Sequence, residues 1–170
     1  MSRPRAVLIG LPGVGKTSVG ARLANRLGVS FADSDRLIEQ ADGRGIPQIF
    51  AADGEAAFRK LEAAVVLEAL ATFDGVLALG GGAVTSAEVR RGLAESQLPV
   101  VLLTASQPEL VARVGRNRNR PLLADDPAAR LAELAAEREE FYRDLCTLTI
   151  DTGGRSIGAV AELILRQLLR

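Results

Sequence analysis

The chain has little of the chemistry that cysteine and histidine bring to a protein, since its 170 residues include one cysteine and no histidine. Without histidine, a mixed Cys/His metal site and a Cys-His nucleophile are excluded. The one cysteine, Cys146, cannot form an internal disulfide, and we expect it to be a small buried hydrophobic residue. Any active site must therefore work without a thiol-imidazole pair.

Long apolar runs and net charge are also absent. No apolar run approaches the roughly 18 residues of a membrane-spanning helix, and the segment before Ala6 has no secretory pattern, so we expect a cytoplasmic protein. Lysine plus arginine and aspartate plus glutamate both number 21, which gives a formal net charge of zero. Because no global field draws such a protein to nucleic acid or to an anionic membrane, we expect neither as a partner.

Short apolar runs alternate with stretches of helical periodicity along nearly the whole chain. Apolar runs at 6–9, 76–79 and 100–103 are followed by helical patterns at 17–27, 87–93 and 108–114. Further helices are predicted at 55–70, 131–145 and 157–169, with a last strand at 148–150. This alternation predicts a three-layer α/β fold around a buried parallel sheet of at most five strands. The length favours one domain, residues 1–170, and we expect a monomer.

An eight-residue motif follows the first predicted strand and opens the first predicted helix. Residues 10–17 read Gly-Leu-Pro-Gly-Val-Gly-Lys-Thr, which fits the phosphate-binding P-loop pattern G-x-x-x-x-G-K-[ST]. Its glycines let backbone N–H groups face phosphate oxygens at the positive end of a helix dipole. Lys16 is expected to bridge the β- and γ-phosphates of ATP, and Thr17 to bind Mg²⁺. The predicted ATP-binding residues of this loop are Gly13, Val14, Gly15, Lys16, Thr17 and Ser18. The plain alternative is a glycine-rich turn that carries a lysine.

A P-loop alone does not distinguish a kinase from a nucleotide-dependent switch. The residues that follow the later strands help to separate these two classes. The apolar run 76–79 ends in Gly80, Gly81 and Gly82 without an acidic residue, and no N-K-x-D guanine-reading motif occurs. Neither a D-x-x-G switch nor a D-E ATPase pair therefore follows this strand. Three glycines at the carboxyl end of a buried strand indicate backbone that a ligand approaches closely, with a loose turn as the alternative.

Two carboxylates, Asp33 and Asp35, follow a short apolar run around Phe31. In an extended backbone they project to the same side, so one can serve a metal and the other a substrate hydroxyl. The alternative is an ordinary helix N-cap at Asp35, which precedes a helical pattern at 36–40.

Together these features resemble the shikimate kinase family, and the resemblance extends over nearly the whole chain. The matching pieces occur in family order: the P-loop at 10–17, Asp33-Ser34-Asp35, Phe58-Arg59 with Glu62, residues 79–83, Arg120-Pro121-Leu122-Leu123, and Arg138 with Tyr142. The resemblance implies a nucleoside-monophosphate-kinase-like P-loop fold with a five-stranded parallel sheet. It also implies that ATP with Mg²⁺ phosphorylates the 3-hydroxyl of shikimate.

The resemblance further implies roles for individual residues. Asp33 resembles the acid that holds Mg²⁺ through water, and Asp35 resembles the group that binds the acceptor hydroxyls and helps to deprotonate one. Arg59 and Arg138 resemble the clamp on the substrate carboxylate, joined by the backbone of residues 80–82. Guanidinium forks suit this task because they match a carboxylate bidentately.

Two longer segments also have family counterparts. The helical substrate-binding segment corresponds to residues 33–61, and the stretch 115–127, which lacks apolar periodicity, resembles the lid loop. Arg120 in this lid is expected to reach the γ-phosphate as a catalytic and ATP-binding residue. Arg113 and Arg155 resemble residues that flank the adenine.

Two other functions stay open at this point. A gluconate-type P-loop kinase would share the phosphate cradle, but it gives no reason for two arginines that face a carboxylate. A non-catalytic nucleotide-binding regulator would hydrolyse ATP slowly and show no dependence on an acceptor.

Overall fold

A computed structural model describes residues 3–115 and 126–170 of the chain. Most of the predicted lid, including Arg116, Arg118 and Arg120, lies outside these residues. Within the described ranges, no helix is both long and apolar enough to cross a bilayer.

Five parallel strands form one sheet in the order β2-β3-β1-β4-β5. The strands are β1 Ala6–Ile9, β2 Ser30–Asp33, β3 Gly75–Ala78, β4 Val100–Thr104 and β5 Leu148–Asp151. The helices are α1 Lys16–Leu27, α2 Ser34–Asp42, α3 Ile46–Thr72, α4 Ala87–Ser96, α5 Gln107–Val114, α6 Pro127–Leu145 and α7 Ile157–Leu168, with one 3₁₀ turn at Ala83–Thr85. The predicted α/β fold with a five-stranded parallel sheet is confirmed.

The central strand shows how the sequence builds three layers. Alternate side chains of a strand point to opposite faces, and in β1 Ala6 and Leu8 join one apolar cluster while Val7 and Ile9 join another. All four residues are buried, as expected for a parallel strand covered by helices on both faces. Helices α1 and α7 pack over the first face, and α3 and α4 over the second.

The carboxyl ends of the parallel strands lie at one edge of the sheet, where ligands bind in open α/β sheets. The P-loop follows β1, and the first predicted carboxylate, Asp33, is the last residue of β2. The glycine triplet at 80–82 follows β3. The topology therefore gathers these three separated motifs at one edge.

The substrate-binding segment departs from the prediction at two helix starts. Helix α2 begins at Ser34 with Asp33 as its cap, so the N-cap considered for Asp35 belongs to the residue two positions earlier. Helix α3 begins at Ile46 instead of residue 55, and Gly54 interrupts it with a φ of 86° and a ψ of 170°. The interruption separates a short leading helix, missed in the sequence, from the predicted one.

A small apolar cluster explains why the leading helix forms. Ile49 is buried against Ile38 of α2 and Phe58 of the following helix, and the Phe50 and Phe58 rings lie 4.5 Å apart between centroids. Tertiary packing of this kind stabilises short helices that would be marginal alone.

The expectation that Cys146 is fully buried is wrong. This residue is half-buried, because it follows the last residue of α6 and lies at the border of the core.

Candidate active site

The P-loop wraps from β1 into α1 with glycine where other residues would clash or be strained. Gly13 has a φ of 86°, in the left-handed region that favours glycine. At Gly10, a Cβ atom would lie 2.6 Å from the carbonyl oxygen of Leu103 on β4. The loop is therefore shaped by its own glycines and by its packing against the neighbouring strand.

Lys16 and Thr17 open helix α1 within this loop. The Lys16 Nζ atom donates hydrogen bonds to the carbonyl oxygens of Gly10 at 2.6 Å and Leu11 at 3.1 Å. The Thr17 hydroxyl donates to Asp33 Oδ2 at 2.7 Å. The structure thus brings together the two residues predicted to serve a magnesium ion, although 16 positions separate them in the chain.

Asp33 and Ser34 connect the β2–α2 junction to its surroundings. Asp33 Oδ1 accepts a hydrogen bond from the backbone N–H of Asp35 at 2.9 Å, which caps the helix. The buried Ser34 hydroxyl accepts a hydrogen bond from the backbone N–H of Gly80 at 2.8 Å. Asp35 therefore projects from the first turn of α2 at the level of the glycine triplet.

A cleft of about 400 Å³ runs along this edge of the sheet. Its lining includes residues 13–18 of the P-loop and helix α1, the strand-end residues Asp33, Asp35, Gly80 and Gly81, and a further group of Arg113, Thr152, Arg155, Ile157 and Val160. All predicted ATP-binding residues within the described ranges line this cleft.

Beside the P-loop, the cleft lining combines cationic and apolar side chains. Arg113 Nη1 donates to the carbonyl oxygens of Gly13 and Val14, both at 3.3 Å, so this arginine ties α5 to the P-loop. Ile157 is 49% exposed although it is a large apolar residue. Ile157 was not among the predicted site residues, because an apolar residue at the start of a helix gives no local signal of ligand binding.

Arg138 projects from α6 and is 3% exposed. Its Nε and Nη1 atoms are buried and have no hydrogen-bond partner among the described residues. Buried donors in native proteins are almost always paired, and an uncompensated buried charge is costly. These two nitrogens can therefore donate hydrogen bonds to an anionic ligand, in addition to the Coulombic attraction between Arg138 and Glu62.

Arg59 reaches the same region from α3 and is held by acidic neighbours. Its Nη1 atom lies 2.8 Å from Glu62 Oε1, and its Nη2 atom lies 3.7 Å from Glu55 Oε1. Glu62 is only 1% exposed, and burial raises the pKa of its carboxyl while the Arg59 guanidinium opposes that rise. Glu62 therefore fixes the position of Arg59. The sequence pattern contained Glu62 but assigned it no role.

Tyr142 joins the glycine triplet to α6. Its hydroxyl donates a hydrogen bond to the carbonyl oxygen of Gly81 at 3.2 Å. Burial raises the pKa of Tyr142, with the nearby Arg138 acting in the opposite direction. The phenol therefore stays protonated at neutral pH and can keep donating to the turn.

The cleft therefore has two chemically different ends. One end presents backbone N–H groups, Lys16 and the Thr17–Asp33 pair, which suit a nucleoside triphosphate with a divalent cation. The other presents Asp35 with two arginines nearby, which suits an acceptor that carries both hydroxyl and carboxylate groups. Such an arrangement can hold a phosphate donor and an acidic alcohol side by side.

Known proteins resemble this chain over nearly its whole length. The family model described as shikimate kinase matches residues 12–169. Shikimate kinase of Mycobacterium avium strain 104 is 52% identical over 166 residues, covering 97% of this chain and 93% of the relative. That of Thermobifida fusca strain YX is 48% identical over 167 residues, covering 98% and 96%. The structure of shikimate kinase from Acinetobacter baumannii in complex with shikimate has a TM-score of 0.93 at 38% identity, covering 99% of this chain and 94% of that one.

Proposed function

This chain belongs to the shikimate kinase family and transfers the γ-phosphoryl group of ATP to the 3-hydroxyl of shikimate, and we propose that Arg138 and Arg59 hold the shikimate carboxylate during the transfer. The observation that carries this proposal is the buried Arg138 guanidinium, two of whose nitrogens lack a partner among the described residues. A bidentate carboxylate supplies the missing acceptors and neutralises the charge.

The donor phosphates lie, in this proposal, over the P-loop at the start of α1. Backbone N–H groups of residues 13–18 bind their oxygens, and the helix dipole favours their negative charge. Lys16 leaves the loop carbonyls of Gly10 and Leu11 and moves to the γ-phosphate. The adenine lies between Arg113 and Ile157, a cationic and an apolar residue of the cleft lining.

Thr17 and Asp33 fit a magnesium ion. A hydroxyl and a carboxylate oxygen stand 2.7 Å apart beside the P-loop, and Mg²⁺ commonly takes one or two protein ligands plus phosphate oxygens and water. Phosphate oxygens of the bound nucleotide would complete such a site. When bound there, Mg²⁺ neutralises charge on the phosphates.

Catalysis then depends on positioning and charge instead of a covalent intermediate. Asp35 accepts a hydrogen bond from the 3-hydroxyl of shikimate and takes its proton as the oxygen attacks phosphorus. The attack is in line with the leaving oxygen of ADP. Lys16 follows the migrating phosphoryl group and stabilises its developing charge.

Arg120 stays a prediction of the sequence. It lies outside the described residues, so its role at the γ-phosphate rests on the family pattern alone. We also retain the expectation of a cytoplasmic monomer. The zero net charge supports only the separate expectation that nucleic acid and membrane are not partners.

One assay tests the proposal against its alternatives. Release of ADP is coupled to a spectroscopic readout and measured with shikimate, quinate, gluconate or no acceptor. We expect rapid turnover with shikimate and slow turnover with the other three conditions. Rapid turnover with gluconate would favour a gluconate-type kinase, and a slow rate independent of any acceptor would favour a nucleotide-binding regulator.

A further inference from the structure

We propose that Gly80, Gly81 and Gly82 are positioning residues, each of which leaves the space required by one functional side chain of the acceptor site. This inference rests on the function proposed above. The pairs are Gly80 with Asp35, Gly81 with Arg138 and Gly82 with Arg59. The glycine triplet then specifies where the acceptor-binding groups lie, in addition to any contact that its backbone makes with the ligand.

Backbone conformation does not require glycine at these positions. Neither Gly80 nor Gly81 nor Gly82 is among the glycines with a positive φ, and Gly82 has a right-handed φ of −89° and ψ of −4°. Any L residue adopts the angles of Gly82, and Gly80 and Gly81 lack the positive φ that favours glycine. The reason for glycine must therefore be the space that a side chain would fill.

That space is already occupied by the functional groups. A Cβ atom on Gly80 would lie 2.5 Å from Asp35 Oδ1, and one on Gly81 would lie 2.9 Å from Arg138 Nη1. A Cβ atom on Gly82 would overlap the guanidinium group of Arg59. Each of the three glycines thus faces a different member of the acceptor site.

The nearest obstructing atoms are the ends of polar side chains, in contrast to Gly10 and Gly75, where they belong to the backbone. At Gly75 a Cβ atom would overlap the backbone carbonyl of Ser30, so substitution there must move a strand. At Gly82 the three nearest atoms all belong to the Arg59 guanidinium. An alanine in the triplet should consequently displace a functional group and leave the fold in place.

Double-mutant kinetics can distinguish glycines that leave space for functional side chains from glycines that leave space only for the ligand. If Gly82 acts through Arg59, Gly82→Ala should raise the KM for shikimate about 10-fold, as loss of a charge-assisted hydrogen bond does, with the KM for ATP unchanged. In an Arg59→Ala background the same substitution should have no further effect, because residues that act together are not additive. Additive effects of the two substitutions would overturn the inference.

The variants of Gly81 and Gly80 should differ from each other in the kinetic constant that changes. Gly81→Ala should raise the KM for shikimate and have no further effect in an Arg138→Ala background. Gly80→Ala should mainly lower kcat, because it moves the carboxylate that accepts the proton. Identical effects of all three glycine variants on KM and kcat would contradict the assignment of one side chain to each glycine.

A matched control comes from helix α7. A Cβ atom on Gly158 would make only ordinary contact with Arg22, at 3.5 Å, so Gly158→Ala should leave both KM values unchanged. Thermal unfolding should show Gly82→Ala folded, and an unfolded variant would count against the inference, which predicts an intact fold. If wild-type protein does not phosphorylate shikimate, the proposed function fails, whereas additivity in an active enzyme overturns this inference alone.

Discussion

In the proposed function, the two ends of the cleft bind their ligands by different means. The phosphate end uses the backbone of contiguous residues, 10–18, whose conformation is set by local glycines and the start of α1. The acceptor end uses side chains from α2, α3 and α6, which meet only because the sheet and its helices bring them together. The residues of the phosphate end can therefore be predicted from a short motif, whereas those of the acceptor end are brought together only by the tertiary structure.

The ends also differ in how their cations are satisfied before a ligand arrives. Lys16 donates to two loop carbonyls, so it must exchange these partners for phosphate oxygens. Arg138 is buried with two nitrogens that lack partners among the described residues. We infer that the phosphate end rearranges on binding, whereas the acceptor end is preorganised at a cost in stability.

The largest effect should come from the phosphate end. Lys16→Met removes the charge that follows the migrating phosphoryl group, and kcat should fall by about 10² to 10³-fold, as when a donor to a transition-state charge is lost. Steady-state kinetics of Lys16→Met beside Lys60→Met, which replaces the other lysine of the chain on the exposed side of α3, measure this directly. Near wild-type turnover in Lys16→Met would contradict the assignment.

The arginines should produce the next largest effect, confined to the acceptor. Arg138→Ala and Arg59→Ala should each raise the KM for shikimate by roughly 10- to 100-fold and leave the KM for ATP nearly unchanged. Arg138→Ala should raise the KM for shikimate more than Arg59→Ala does, since Arg59 is already paired with Glu62. An increase in the KM for ATP instead would show that the two ends have been assigned to the wrong substrates.

The smallest effect concerns pH and Glu62. Because burial raises the pKa of this carboxyl in the folded state, the folded protein binds its proton more tightly than the unfolded chain does. Its contribution to stability is then present below the ordinary pKa of 4.5 and is lost as the pH rises through the elevated value. The stability of the wild type relative to Glu62→Gln should therefore decrease as the pH rises.

Urea unfolding of both proteins at several pH values checks this prediction. The difference in unfolding free energy between wild type and Glu62→Gln should be most favourable to the wild type at acidic pH. A difference that instead grows with pH would mean that the ion pair with Arg59 outweighs burial.

The fold was predictable because its signals are local. Strand β1 was predicted at its observed bounds, and β4 within one residue of its end, since short buried apolar runs between helical patterns are distinctive. The leading part of α3, before Gly54, was not predicted. Its stability depends on the Ile49 contacts with Ile38 and Phe58, which no local pattern encodes.

The acceptor site illustrates what the sequence alone cannot provide. The hydrogen bond from Gly80 to Ser34 joins residues 46 positions apart, and the burial of Arg138 depends on the packing of α6. With 19 arginines in the chain (21 basic residues less two lysines), nothing local distinguishes Arg138 from an exposed arginine. Only the family pattern selected it before the structure showed its unsatisfied nitrogens.

In the proposed function, the acceptor end binds the shikimate carboxylate through Arg138 and Arg59. The most direct measurement compares the kinetics of shikimate with those of its methyl ester, which keeps the ring and hydroxyls but removes the negative charge. The wild-type KM for the ester should be roughly 10- to 100-fold higher than that for shikimate. Arg138→Ala should reduce this ratio, because it weakens binding of shikimate more than binding of the ester. Equal KM values for shikimate and the ester in the wild type would contradict this role of the two arginines.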